Sequence, residues 1–286
     1  MTDPIMHFPC NTVEEFIDTI TPNDEEEKHQ WVVYRGQADA DWGLVPSAFR
    51  ESSHISARSL FGCLRASPKE QAHFEALTLQ RFLKACDLSG LPVPGYTRGL
   101  AEELERILEQ KMDYNWPNPI FDEPLAVAQH YGVPTRLLDW TRRPFVAAYF
   151  AASSALQLQR KPKHIAVWAM DITRKNEWAG VSIVSLPGGT AANLAAQSGL
   201  FTIQRGIKAL DFASPELEKD PEIISSAAAK NHHIFAKITL PFSQCEKLLR
   251  RCARFGVSAP VLFPGMEGAK KYVDDWAYSE FYGDLV

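Results

Sequence analysis

Gln129-His130-Tyr131-Gly132-Val133-Pro134-Thr135-Arg136-Leu137-Leu138-Asp139-Trp140-Thr141-Arg142-Arg143-Pro144 lies between two apolar runs near the middle of the chain. It gathers imidazole, amide, hydroxyl, guanidinium, carboxylate and indole groups in one short segment. Upstream, Leu125, Val127 and Ala128 mark a short helix that should stop at Gly132, with Pro134 unable to continue it. Downstream, Pro144 suits the first turn of a new helix, where no N–H is required of it. Phe145, Tyr149, Ala152 and Leu156 then recur at helical spacing. The segment reads as helix, tight extended connector, helix. Its polar groups collect at the second helix N-terminus, where free N–H groups favour an anion, and Arg136, Arg142 and Arg143 add positive charge. The alternative is a structural corner, with Asp139 or Thr141 capping the helix and Trp140 filling the core.

Outward from this segment, helical and strand patterns mix without regular alternation. Thr12 to Ile20 carries a capped helix start. Trp31-Val32-Val33-Tyr34 is a short strand ending at Arg35-Gly36-Gln37, and Asp41 to Ser47 an irregular connector. Asp24 to Glu27 is an acidic loop. Ser67-Pro68-Lys69-Glu70 opens a helix, with Ser as cap, Pro at the first position and Glu at the third. A second amphipathic helix follows, so about 67–114 is a helical insertion between the Arg35 strand and the central segment. Further strands are expected at His164 to Met170, Val181 to Leu186, Leu200 to Ile203 and His233 to Leu240. Pro187-Gly188-Gly189 marks a turn, and Asn193 to Gln197 one helical turn. Ser214 to Lys230 reads as a loop with a weak helix. Ser243 to Phe255 and Ala269 to Tyr278 read as helices. The expected fold is α+β: one domain over 1–286, with a single mixed, mainly antiparallel sheet and the helical insertion.

The composition excludes several classes. The chain has 286 residues, 45% hydrophobic and 23% charged, with a net charge of −5 and a pI near 5.9. That is ample for a core but gives no global basic field for coating nucleic acid. The five cysteines form no CxxC pair, so neither a zinc ribbon nor a disulfide framework is suggested, and no metal is expected. No signal peptide and no membrane-length apolar run is visible, which points to a soluble cytoplasmic protein without membrane partners. Walker, GxGxxG, GxSxG and HExxH patterns are absent.

What remains is a series of separated polar motifs, and in this order they resemble the FRG domain family. Tyr34-Arg35-Gly36 matches its aromatic-Arg-Gly motif and continues into Gln37. Trp42, Leu44, Pro46 and Ser47 match a Trp-x-Leu-x-Pro-Ser stretch. Gln129 to Thr141 matches its long core motif without a gap. Tyr149-Phe150-Ala151 and Gln197, Gly199 and Phe201 match two more. The resemblance spans about Gln30 to Tyr272. It departs at Gly265, where the family often has an acidic residue, and at Leu194, where it usually has Arg.

The resemblance implies two functional readings. In the first, the family is a remote relative of the ADP-ribosyltransferases and the chain an enzyme using NAD, with a protein or nucleic acid as acceptor. Arg35 would then bind the dinucleotide, Gly36 would allow its close approach, Thr141 would support the nicotinamide ribose and Gln197 would orient the acceptor. Gln197 cannot itself act as a base, so His130 or Asp139 would serve if adjacent. Glu280 is a remaining carboxylate, read as a surface residue. In the second reading the chain is a non-catalytic module that senses a small nucleotide or phosphate and regulates a partner. Arg35, Arg136 and Arg142 would hold the anion, Gln37 and Gln129 would contribute amides, and Trp42, Trp140 or Tyr149 would stack on a base. Asp139 is expected to anchor its neighbours, Arg35 among them, and not to act as a nucleophile.

Overall fold

The computed structural model describes residues 5–21, 32–50, 67–110, 116–173, 175–177, 181–186, 196–206, 216–229 and 233–283. The acidic run at 24–27, the turn at 187–189 and Leu194 lie outside them. The strands are β1 (Ile5–Pro9), β2 (Val32–Gln37), β3 (Leu137–Thr141), β4 (His164–Asp171), β5 (Val181–Val184), β6 (Gly199–Gln204) and β7 (Phe235–Pro241). They form one sheet in the order β1-β7-β4-β2-β3-β6-β5. β1 runs parallel to β7, and every other neighbouring pair is antiparallel. The α+β class with a mainly antiparallel sheet is therefore observed. The helices are α1 (Val13–Ile20), α2 (Pro68–Leu88), α3 (Arg98–Gln110), α4 (Asp122–His130), α5 (Pro144–Gln157), α6 (Pro221–Ala229), α7 (Cys245–Arg254), α8 (Ala259–Leu262) and α9 (Met266–Gly283).

Local signals act as their chemistry requires. Ser67 and Glu70 form a reciprocal capping box at the start of α2. α4 closes with a Schellman motif: Val133 N donates to Ala128 O and Gly132 N to Gln129 O, while Gly132 takes a left-handed φ of 82°.

The largest correction concerns the central segment. The tight extended connector expected between two helices is, over Leu137–Thr141, a strand inside the sheet, flanked by β2 and β6. Leu137 and Leu138 are buried on opposite faces, so the run lacks the period-two alternation that marks a half-exposed strand. β2 likewise continues through Arg35, Gly36 and Gln37 instead of ending before them. β1 was not expected: five residues ending in proline on a sheet edge carry almost no pattern. α9 is longer than the expected 269–278, and α6 is a full two-turn helix where only a weak one was anticipated.

The register assigns each side chain to a face. Tyr34 pairs with Thr141 and Ala169, so Tyr34, Gly36, Leu137, Asp139 and Thr141 share one face. Two separate helical layers cover that face. α1, α5 and α7 pack over β2, β4 and β7 through Tyr34, Ile165, Val167, Ile238 and Leu240. The insertion helices and α4 pack over β3, β5 and β6 through Leu137, Val184, Phe201 and Ile203. The opposite face buries Val33, Leu138, Trp140, Trp168 and Met170 under Leu44, Leu217 and Ile223. β2 and β3 meet where the two helical layers divide.

Gly36 is fixed by packing. A Cβ on it would lie 2.0 Å from Ala147 O and 2.7 Å from Ala151 N, both backbone atoms of α5. Its role is close approach of helix to sheet, not of a dinucleotide to backbone as the family analogy implied. Gly36→Ala is expected to cost at least about 3 kcal/mol, the top of the usual overpacking range, because neither clashing atom can rotate away. Gly132→Ala, with open space around it but a left-handed backbone, is expected to cost about 1–2 kcal/mol. Urea unfolding of both variants checks the order.

Candidate functional site

β2 and β3 pair at a single position, Tyr34 with Thr141, and then part. The side chain of Arg35 bridges the opening. Its Nη1 donates to the backbone carbonyl of Asp139 at 2.8 Å, across 104 residues of sequence, and lies 3.6 Å from Asp139 Oδ2. A guanidinium thus takes up a strand carbonyl that no β2 amide reaches. The Arg35 side chain is 13% exposed and that of Asp139 62%.

Both Arg35 contacts use Nη1. Nε is buried without a hydrogen-bond partner among the described residues. Burial pulls the Arg35 pKa down to about 10; Asp139 raises it and the neighbouring Arg50 charge lowers it further. The group stays protonated at neutral pH. Arg50 is held by its Nε donating to Val45 O at 2.9 Å, and it too feels the Asp139 charge. The Asp139 carboxylate thus acts on two guanidiniums, Arg35 and Arg50.

The carboxylate is oriented by α4. Gln129 Nε2 donates to Asp139 Oδ1 at 2.6 Å, while Gln129 Oε1 accepts from the Thr135 hydroxyl. Thr135 is tied in turn to the Trp-x-Leu-x-Pro-Ser motif. Its N–H donates to Ser47 Oγ at 3.0 Å, and its carbonyl accepts from Ser47 Oγ at 3.1 Å and Ala48 N at 2.9 Å. Two motifs far apart in sequence are thus stitched together one residue ahead of Arg136.

Several candidate residues turn out to be structural. Arg136 was expected to hold an anion but is buried with its partner, each side chain 1% exposed. It makes a two-pronged pair with Glu75 at 2.6 and 2.9 Å and donates to Trp116 O and Gln204 O. Glu75 also accepts from Trp116 Nε1 and Gln71 Nε2. Trp140 was a stacking candidate, but it is buried and its Nε1 donates to Thr202 Oγ1 at 3.0 Å. Gln37 is buried, with Nε2 on Gly43 O and Oε1 accepting from Trp168 Nε1. Tyr149 is buried against Asp275, with its phenol pKa raised by burial and by that carboxylate.

Thr141 and Gln197 do come together, through bonds that do not involve the Arg35 guanidinium. The buried Thr141 hydroxyl donates to the Gln197 carbonyl at 2.6 Å and accepts from Arg143 N at 3.0 Å, while Gln197 Nε2 donates to Leu262 O. These bonds close the turn between β3 and α5. Thr141 also shares the face of Tyr34, opposite to that from which Arg35 leaves β2. His130 lies at the exposed end of α4, its ring edge-on to Tyr131 at 5.0 Å. Arg142 is exposed, its N–H bonded to Ser198 O. Sequence reasoning missed Arg50 and Glu75. Arg50 follows the Ser47 motif by three residues, a usable signal; nothing local marks Glu75. Among the described residues no group of His, Cys, Asp or Glu is placed to hold a metal ion, and no helix is long and apolar enough to cross a membrane.

Residues 30–160 match the family model of the FRG domain. This span contains every residue of the fork. No curated protein and no solved structure matches the chain significantly.

The two carboxylates of this region should respond differently to neutralisation. Glu75→Gln leaves the Arg136 charge buried without its counterion and is expected to cost about 3–5 kcal/mol. Asp139→Asn retains an acceptor for Gln129 at a mostly exposed position and is expected to cost about 1 kcal/mol. Chemical denaturation of both variants reads the difference.

Proposed function

From the match of residues 30–160 to the FRG domain, we propose that the fork between β2 and β3 binds the phosphate of a small nucleotide such as NAD or ADP-ribose. The observation that supports this reading is the Arg35 Nε, buried without a hydrogen-bond partner. A buried guanidinium nitrogen without an acceptor is costly to fold, and the paired N–H groups of a guanidinium match two oxygens of a phosphate. Arg50 supplies the second positive charge. Gln129, Thr135 and Ser47 hold the geometry, and Asp139 fixes Arg35 through its carbonyl.

The module binds and does not transfer. A transferase site on Arg35, Thr141 and Gln197 would need the Thr141 hydroxyl and the Gln197 amide free for substrate, and both are committed to backbone groups. The role that follows is nucleotide sensing on behalf of a partner.

Calorimetric titration with inorganic phosphate, ADP-ribose and NAD, alongside chromatography for released nicotinamide, tests this reading. Binding without nicotinamide release is expected. Arg35→Lys keeps the charge but loses the planar fork. It should weaken binding roughly ten- to hundredfold, the equivalent of one charged hydrogen-bonded contact, with little change in melting temperature. If Arg35 serves only the sheet, the same variant will melt lower while its folded fraction binds as before. Nicotinamide release by the parent protein would instead restore the transferase.

A further inference from the structure

The hydrogen bond that spans β2 and β3 leaves the Asp139 carboxylate out. It runs from Arg35 Nη1 to the Asp139 main-chain carbonyl at 2.8 Å. The carboxylate Oδ2 stands 3.6 Å from the same Nη1, beyond hydrogen-bond length, and the side chain is 62% exposed. Oδ1 accepts from Gln129 Nε2 at 2.6 Å. An ionised carboxylate has about four acceptor positions, and these two contacts leave others open to solvent.

This exposed group is held in place all the same. Gln129 Oε1 accepts from the Thr135 hydroxyl, and Thr135 N–H donates to Ser47 Oγ at 3.0 Å. A chain of hydrogen bonds reaching back to the Ser47 motif thus fixes one carboxylate beside two guanidiniums, those of Arg35 and Arg50. Toward a bare phosphate it acts against binding, because like charges repel. Toward a phosphate ester it has a use, because a hydroxyl of the ester can donate to it.

We propose that the Asp139 carboxylate selects the sugar of the ligand, accepting hydrogen bonds from ribose hydroxyls while the phosphate sits on Arg35. The proposal rests on the phosphate reading of the fork. Phosphate and ribose hydroxyls belong to one small molecule, and the guanidinium and carboxylate that would meet them approach within 3.6 Å. A vicinal diol brings two donors to a carboxylate with acceptor positions to spare. The class selected is a ribonucleotide with its ring hydroxyls free, against inorganic phosphate and against analogues without those hydroxyls.

Calorimetric titration of the full chain with AMP, its dideoxy analogue and inorganic phosphate tests the proposal. AMP is expected to bind about tenfold more tightly than the dideoxy analogue, the equivalent of one hydrogen bond to a charged acceptor. In Asp139→Asn the amide oxygen can stay with Gln129 Nε2 while an NH2 group replaces Oδ2. That variant should bind inorganic phosphate severalfold more tightly than the parent, because a neighbouring negative charge is gone, and should lose most of the preference for AMP. A carboxylate that only steadies Arg35 predicts the opposite: Asp139→Asn would weaken all three ligands alike, and that result overturns the proposal. So does a preference for AMP that survives in Asp139→Asn. Equal binding of AMP and its dideoxy analogue by the parent overturns it too, while leaving the phosphate reading intact. If none of the three binds the parent, the phosphate reading falls and this inference falls with it.

Discussion

Arg136 and Glu75 form an ion pair from which water is excluded on both sides. Taking two charges out of water is costly, and the pair is tolerable only because further hydrogen bonds surround it. Here Trp116 and Gln71 donate to the carboxylate, while the carbonyls of Trp116 and Gln204 accept from the guanidinium. The pair joins α2 of the insertion to the residue that leads into β3. Gln204 O, at the end of β6, ties the next strand to the same point. The insertion is thus fastened to the sheet at the start of its central motif strand. Ser47, Thr135, Gln129 and Asp139 then follow one another through hydrogen bonds that begin one residue away.

The fork between β2 and β3 depends on this anchoring from one side and on Gly36 from the other. α5 presents Ala147 and Ala151 to β2 and can approach so closely only because Gly36 has no side chain. With β2 drawn against α5 and β3 drawn toward the insertion, the two strands keep one paired position and diverge. The Asp139 carbonyl would then lack a donor from β2. Arg35 supplies one through Nη1, while its Nε has no partner. The structural service and the unpartnered donor thus belong to different nitrogens of one guanidinium.

Most polar residues of the long motif are consequently framework. Thr135 stitches loop to loop, Arg136 anchors the insertion, Trp140 bonds Thr202 in the core, and Thr141 closes the turn into α5. The Asp139 carbonyl accepts from Arg35 and its carboxylate accepts from Gln129. A dense run of chemically capable side chains can therefore specify a crossing of chain segments, with only the groups at its opening left for a ligand.

Features that depend on near neighbours were legible in the sequence. The capping box at Ser67 and Glu70, the stop at Gly132, the proline start of α5 and the strand and helix periodicities of the C-terminal half are all local chemistry, and they led to an α+β sheet protein with a helical insertion. The order of its motifs also led to the FRG family. Tertiary structure alone decided the rest. Leu137–Thr141 is a strand because neighbours on both sides complete its ladder, and burial on both faces erased the alternation that would have marked it. Arg136 became a buried ion pair because Glu75, 61 residues away, reaches it. Arg35 follows Tyr34 by one residue and Arg142 follows Trp140 by two, and in the sequence both read as cations for an anion. Only the packing of α5 on Gly36 and the parting of two strands left one of them bridging the fork and the other exposed at a turn.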